Sequence, residues 1–253
     1  MKDWIAPVGA ESALRRTAAA LLFDLRFQWR HGFYYAYMLL CALYIALLNF
    51  VPDDYLTRTI ILLTFSDPSA LGLLFAGGLL LLERGQGLHD CLFMTPLRLS
   101  EYLLGKALSL ALLSAAAAFA VHICSAGWPP HPELLAAGVM PTSAFFTLIG
   151  LTLAAHCRTL NGFILLTQAG ALIFVLPLLG YLGLAPDSPL YGLLPTRATL
   201  LLLDDAYRQT RSTGDLAVSA LSLLLWLAAA FALARRTLRV TTREHAGRGG
   251  QPA

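Results

Sequence analysis

The sequence predicts an all-α, polytopic membrane protein with six transmembrane helices. Three observations carry this. Of 253 residues, 57% are hydrophobic and only 13% charged, against about 25% charged in a soluble domain; the mean hydropathy is +0.66. The apolar residues gather into blocks long enough for helices to cross a hydrocarbon core of about 30 Å at 1.5 Å per residue. Lysine and arginine fall mainly in alternate links between those blocks, as the positive-inside rule demands.

Residues 1–32 form the first segment. Leu14, Ala18, Leu21, Leu22, Leu25 and Trp29 recur at helical spacing over positions 11–31, with Arg15, Arg16, Arg26 and Gln28 on other faces. A basic amphipathic helix ending in tryptophan suits the headgroup layer; a cytosolic helix packed on a partner would show the same pattern. The early charges interrupt any signal-peptide core.

The six-span region covers 33–235. The first span occupies 33–51 and carries Tyr34, Tyr35 and Tyr37 where an aromatic belt would lie. The second block, 59–82, contains Ser66, Asp67 and Pro68. Asp67 reads either as the N-cap of a helix with proline at its first position, or as an intramembrane acid with a role in transport. From Pro68 to Leu82 is only about 22 Å, so a cap there implies a bent span or a helix starting below the surface. The third span is 102–126, with Lys106 placed to snorkel at its start. The fourth is 134–155, bent or broken near Pro141, and the fifth is 163–184, kinked at Pro177. The link 186–215 holds an apolar run over 200–203 that is too short to cross, read as a helix on the outer surface. The sixth span is 216–234, closed by Arg235 and Arg236. Residues 236–253 form a basic tail, expected to be disordered.

Orientation follows from the charges. With the N-terminus inside, only Arg58, Arg197, Arg208 and Arg211 of the 18 lysines and arginines lie outside. An even span count then puts both termini in the cytoplasm.

The composition gives little to catalysis. The six histidines, at 31, 89, 122, 131, 156 and 245, have no zinc-hydrolase spacing. His122 alone lies deep in a span, where packing against a neighbouring helix explains it. Cys41, Cys91, Cys124 and Cys157 form no pair at metal or redox spacing. Gly105 and Lys106 are followed by Ala107 and lack the upstream glycine of a phosphate-binding loop. A net charge of +3 spread along membrane boundaries gives no nucleic-acid surface. The chain therefore acts passively, as a scaffold or assembly factor, or takes energy from a partner; an intramembrane enzyme using Asp67, His122 or His156 lacks paired groups.

The polar stretch 83–101 between spans two and three is where a partner would act. Leu88, Leu92 and Phe93 form one apolar side able to seat in a groove, and Thr95 and Pro96 would stop a short helix. A glycine-rich second span (Gly72, Gly77, Gly78) is followed by Glu83, Arg84 and Gly87, then Thr95, Pro96 and Leu97, then Tyr102, Gly105 and Lys106. This order resembles the membrane subunit of ABC-2 type transporters, and more loosely the bacterial permeases known as fluoroquinolone exporters.

The resemblance implies a permease of the bacterial inner membrane, an exporter of a hydrophobic or amphipathic compound. It also implies a connector helix before span one and a separate ABC ATPase that holds ATP and magnesium, this chain carrying no cofactor. Glu83 and Arg84 would open the contact. A coupling helix over 87–97, with Gly87, Leu88, Leu92, Phe93, Thr95, Pro96 and Leu97, would dock on the ATPase. A re-entrant feature over 193–205, and a second copy or a sister permease to complete the path, are implied as well.

Overall fold

The computed structural model describes residues 10–86, 97–157, 159–184, 186, 189–207 and 213–248. Among these the chain is helical with no strand. The helices are α1 (Ala10–Arg30), α2 (Phe33–Leu48), α3 (Asp53–Gly85), α4 (Leu99–Ala126), α5 (Pro132–His156), α6 (Leu160–Tyr181), a 3-10 turn at Pro189–Leu193, α7 (Pro195–Asp205) and α8 (Thr213–Arg248). Five of them, α3, α4, α5, α6 and α8, are long and apolar enough to cross a membrane. A sixth crossing arises if α1 and α2, which meet at 70°, count as one bent span.

The bend sits at Gly32. Its φ of 77° lies in the left-handed region, which a side chain disfavours. From there α2 runs 16 residues, about 24 Å, and ends three residues before the expected Val51. Asn49 to Val51 turn back, with the Asn49 N–H and side-chain amide both donating to the Ile45 carbonyl, and Pro52 disfavours helix at the residue before it.

The second span departs from expectation. α3 is one helix of 33 residues with Pro52 at its N-cap position, so Asp67 caps nothing. It lies mid-helix, and Pro68 is an interior proline with no N–H to give the preceding turn. Likewise α5 and α6 run through Pro141 and Pro177 without interruption.

α5 is the hub, packed most extensively on α3 and then on α4 and α8. Glycine lets its backbone approach α3: a Cβ at Gly150 would collide with the Leu73 carbonyl, and one at Gly72 would stand 3.0 Å from the Ser143 carbonyl. Between them Leu73, Ala76, Leu79, Leu80, Phe146, Leu148, Leu151 and Ala154 form the buried heart of the main core.

The expected surface helix in the link before the last span is instead part of the bundle. Pro195, Thr196, Ala198, Thr199, Leu200, Leu202 and Leu203 of α7 are all buried, and α7 packs on α5, α6 and α8. Two contacts let a short, partly polar helix enter: Thr199 meets Thr142 of α5 at 2.6 Å, and Gly138 of α5 makes room for Leu203. α8 also differs, continuing through Arg235 and Arg236 to Arg248 rather than giving way to an irregular tail. Ala230, Ala234 and Leu238 recur every four residues and stay buried against the main core, which carries the helix onward.

Candidate functional site

Three polar or open features lie inside this apolar bundle. The first is where α1, α3 and α4 converge. Asp24, Glu83 and Lys106 come from three helices, and each is at most 2% exposed. The Lys106 ammonium donates to Asp24 Oδ1 and to Glu83 Oε1, both at 2.7 Å. The Tyr102 hydroxyl donates to Glu83 Oε2 at 2.7 Å. Asp24 Oδ2 accepts from Gln28 at 2.9 Å and from the Ser109 hydroxyl. Every carboxylate oxygen thus has a donor, which makes so dry an ionic cluster tolerable.

This geometry corrects the expected position of Lys106, which does not snorkel to the headgroups but is enclosed at 1% exposure. It also turns part of α1's polar stripe inward. Arg16, Ala20, Asp24 and Gln28 recur every four residues along α1, facing Glu101, Gly105 and Ser109 at the same spacing on α4. Arg16 makes a forked pair with Glu101 at 2.7 to 3.1 Å, Gly105 leaves room for Ala20, and Gln28 reaches Ser109 at 2.9 Å. The apolar residues Leu14, Leu22 and Trp29 point outward. No single-residue signal marks this pairing, but two four-residue polar repeats, one on each helix, could have suggested it.

Of the residues expected to meet an ATPase, Glu83 faces this cluster. Arg84 is half-buried in the last turn of α3, where a cation suits the helix dipole. Leu97 packs on the core beside the cluster. Gly87, Leu88, Leu92, Phe93, Thr95 and Pro96 lie outside the described residues.

The second feature surrounds Asp67. The Tyr37 hydroxyl on α2 donates to Asp67 Oδ2 at 3.0 Å and lies 3.2 Å from Ser114 on α4. Ser114 in turn meets Ser143 on α5 at 2.9 Å. Tyr37 is therefore buried within the bundle and not part of an aromatic belt. Asp67 Oδ1 has no partner among the described residues. His122 is satisfied locally on one side, its Nδ1 lying 2.7 Å from the Gly127 carbonyl.

The third is a cleft of about 230 Å³ between α3, α5 and α6. Phe65, Phe146, Phe174, Leu73 and Val175 form most of its wall, and Thr167 and Gln168 supply its polar edge. Its far side is the outward surface of α6, where Leu165, Leu172 and Ile173 are exposed.

Among the described residues, an all-helical bundle with helices of membrane-crossing length and composition defines a polytopic membrane protein. The match over residues 15–243 identifies the chain as a member of the fluoroquinolones export permease protein family. Two Mycobacterium tuberculosis proteins, from strains CDC 1551 / Oshkosh and H37Rv, are each named a fluoroquinolones export permease protein. Each is 27% identical to this chain over 197 residues, covering 78% of the chain and 83% of the relative. The chain is thus a membrane export permease.

Proposed function

We propose that this chain is the membrane-embedded subunit of an ATP-driven exporter of the ABC-2 type, moving flat, amphipathic aromatic compounds such as fluoroquinolones. The observation that carries the reading is the cleft between α3, α5 and α6. Three phenylalanines offer stacking faces, and Gln168 with Thr167 offers hydrogen bonds at one edge. Its volume is below the roughly 300–1,000 Å³ of pockets that enclose a drug-sized ligand, so a second copy or a sister permease completes the path.

Both termini lie in the cytoplasm of a bacterial cell, by the charge distribution along the links, and the chain resides in the inner membrane. Energy enters through residues 83–101. A separate ABC ATPase holding ATP and magnesium docks on the segment 87–97. Glu83 takes part from inside: anchored to Lys106 and Tyr102, it ties movement of that segment to α1 and α4.

The test is reconstitution of the permease with its ATPase in liposomes. A fluoroquinolone is expected to stimulate ATP hydrolysis and to be carried across the membrane. Glu83→Ala is expected to insert normally while hydrolysing ATP without transport. An ATPase that neither binds the permease nor responds to it would overturn the reading.

A further inference from the structure

Helix α2 is held loosely, with most of its surface turned out of the bundle as in α6 and α8. Of its 16 residues only Tyr37 and Leu48 are buried, while Tyr35, Met38, Leu39 and Leu43 are turned outward. At one end it pivots on Gly32, whose φ is 77° and around which a Cβ would meet nothing within 4 Å. At the other, the turn over 49–52 joins it to α3, and Leu48 packs on Ile60 and Val121. Between these ends the polar attachments are the buried Tyr37 hydroxyl, on Asp67 at 3.0 Å and Ser114 at 3.2 Å, and, nearer the far end, Tyr44 on Ser66. The ring contacts beside it are edge-on: Phe33 and Tyr37 both approach Phe75, at 5.0 and 6.1 Å between centroids.

Behind α2 lies a polar strip formed by Asp67, Ser114 and Ser143 from three different helices. Asp67 is 5% exposed and its Oδ1 accepts no hydrogen bond among the described residues. A buried carboxyl oxygen left this way is costly, and the cost falls when a donor arrives. α2 lies against this side chain through Tyr37 and presents its opposite, apolar face outward.

We propose that α2 is a side gate onto the bilayer, that the Tyr37 hydroxyl is its latch, and that compounds bearing an N–H or O–H donor on an apolar body meet Asp67 when it opens. The last part rests on the export reading; the gate and latch do not. Releasing the latch lets α2 roll outward about Gly32 and the turn at 49–52, with the main core among α3, α4 and α5 left in place.

A native reporter sits one turn beyond the latch. Cys41 is a free, half-buried thiol packed against both the main core and the cluster of Leu48, Ile60 and Val121. With Cys91, Cys124 and Cys157 changed to serine, its alkylation by N-ethylmaleimide is measured in native membranes without nucleotide or drug. Tyr37→Phe removes the hydrogen bond to a carboxyl group and is expected to raise the rate about tenfold. Asp67→Asn keeps an acceptor of the same shape, so a smaller rise is expected, and it serves if the Tyr37 variant is lost from the membrane. Unchanged rates in the variants that insert would overturn the gate, whatever the export reading's fate. Norfloxacin, which carries a secondary amine, is expected to change the alkylation rate at least threefold in the parent and not in Asp67→Asn. The same response in both would remove Asp67 as the meeting point.

Discussion

Lys106→Met is the sharpest test of the ionic base. The ammonium is 1% exposed and gives 2.7 Å hydrogen bonds to two carboxylates on two other helices. Methionine preserves the stem and roughly the volume, so packing changes little, but Asp24 and Glu83 are left buried with no cation between them. Removing one partner of a buried ion pair costs about 3–5 kcal/mol. A chain of this size loses about 2–4 °C of melting temperature per kcal/mol, so the variant should melt at least about 6 °C below the parent. The assay is intrinsic-fluorescence melting of the detergent-solubilised protein. Adding Asp24→Asn and Glu83→Gln makes the cluster neutral while leaving acceptors for Tyr102 and Ser109, and should recover at least half the loss. Melting of Lys106→Met within about 1 °C of the parent, or a triple variant no better than the single, would refute the reasoning.

Other substitutions probe different contacts. Gly150→Ala forces a Cβ against the Leu73 carbonyl and should destabilise the chain by about 1–3 kcal/mol or more; a parental melting temperature would mean α3 and α5 do not touch there. Gly78→Ala, where a Cβ meets nothing within 4 Å, should instead raise stability by about 0.5–1 kcal/mol through helix propensity, and a clear fall in melting would contradict that open space. Phe174→Ala removes one aromatic wall of the cleft and should raise the half-saturating fluoroquinolone concentration in vesicle transport about two- to tenfold; unchanged saturation would place the compound elsewhere.

The helical class and the rough positions of the spans were legible because bilayer crossing imposes one strong rule, about 20 apolar residues in a row. What hydropathy could not supply was the fate of polar residues within or beside those runs. Asp67 followed by proline has the local grammar of a helix start, yet α3 continues because Tyr37 from another helix engages Oδ2 of its side chain and the core on both sides holds the turn. Lys106 looked like a boundary residue since it stands near the start of a span. Its true partners, Asp24 and Glu83, are 82 and 23 positions away, and no local pattern reports such distances. Glu83 was marked by resemblance, and its burial against Lys106 became visible only in three dimensions. The cleft was illegible for a similar reason: its phenylalanines come from three helices, and each reads in sequence as ordinary apolar filling.

The pairing of α1 with α4 has a consequence for biogenesis. α1 leaves the ribosome before α3 and α4, and Asp24 finds its cation only after another 82 residues have been made. Until α4 is inserted, Arg16, Asp24 and Gln28 need water, while Leu14, Leu22 and Trp29 need apolar surroundings. The membrane interface offers both at once. α1 therefore docks only after its partners are made, parked at the headgroups until α3 and α4 deliver Glu83 and Lys106.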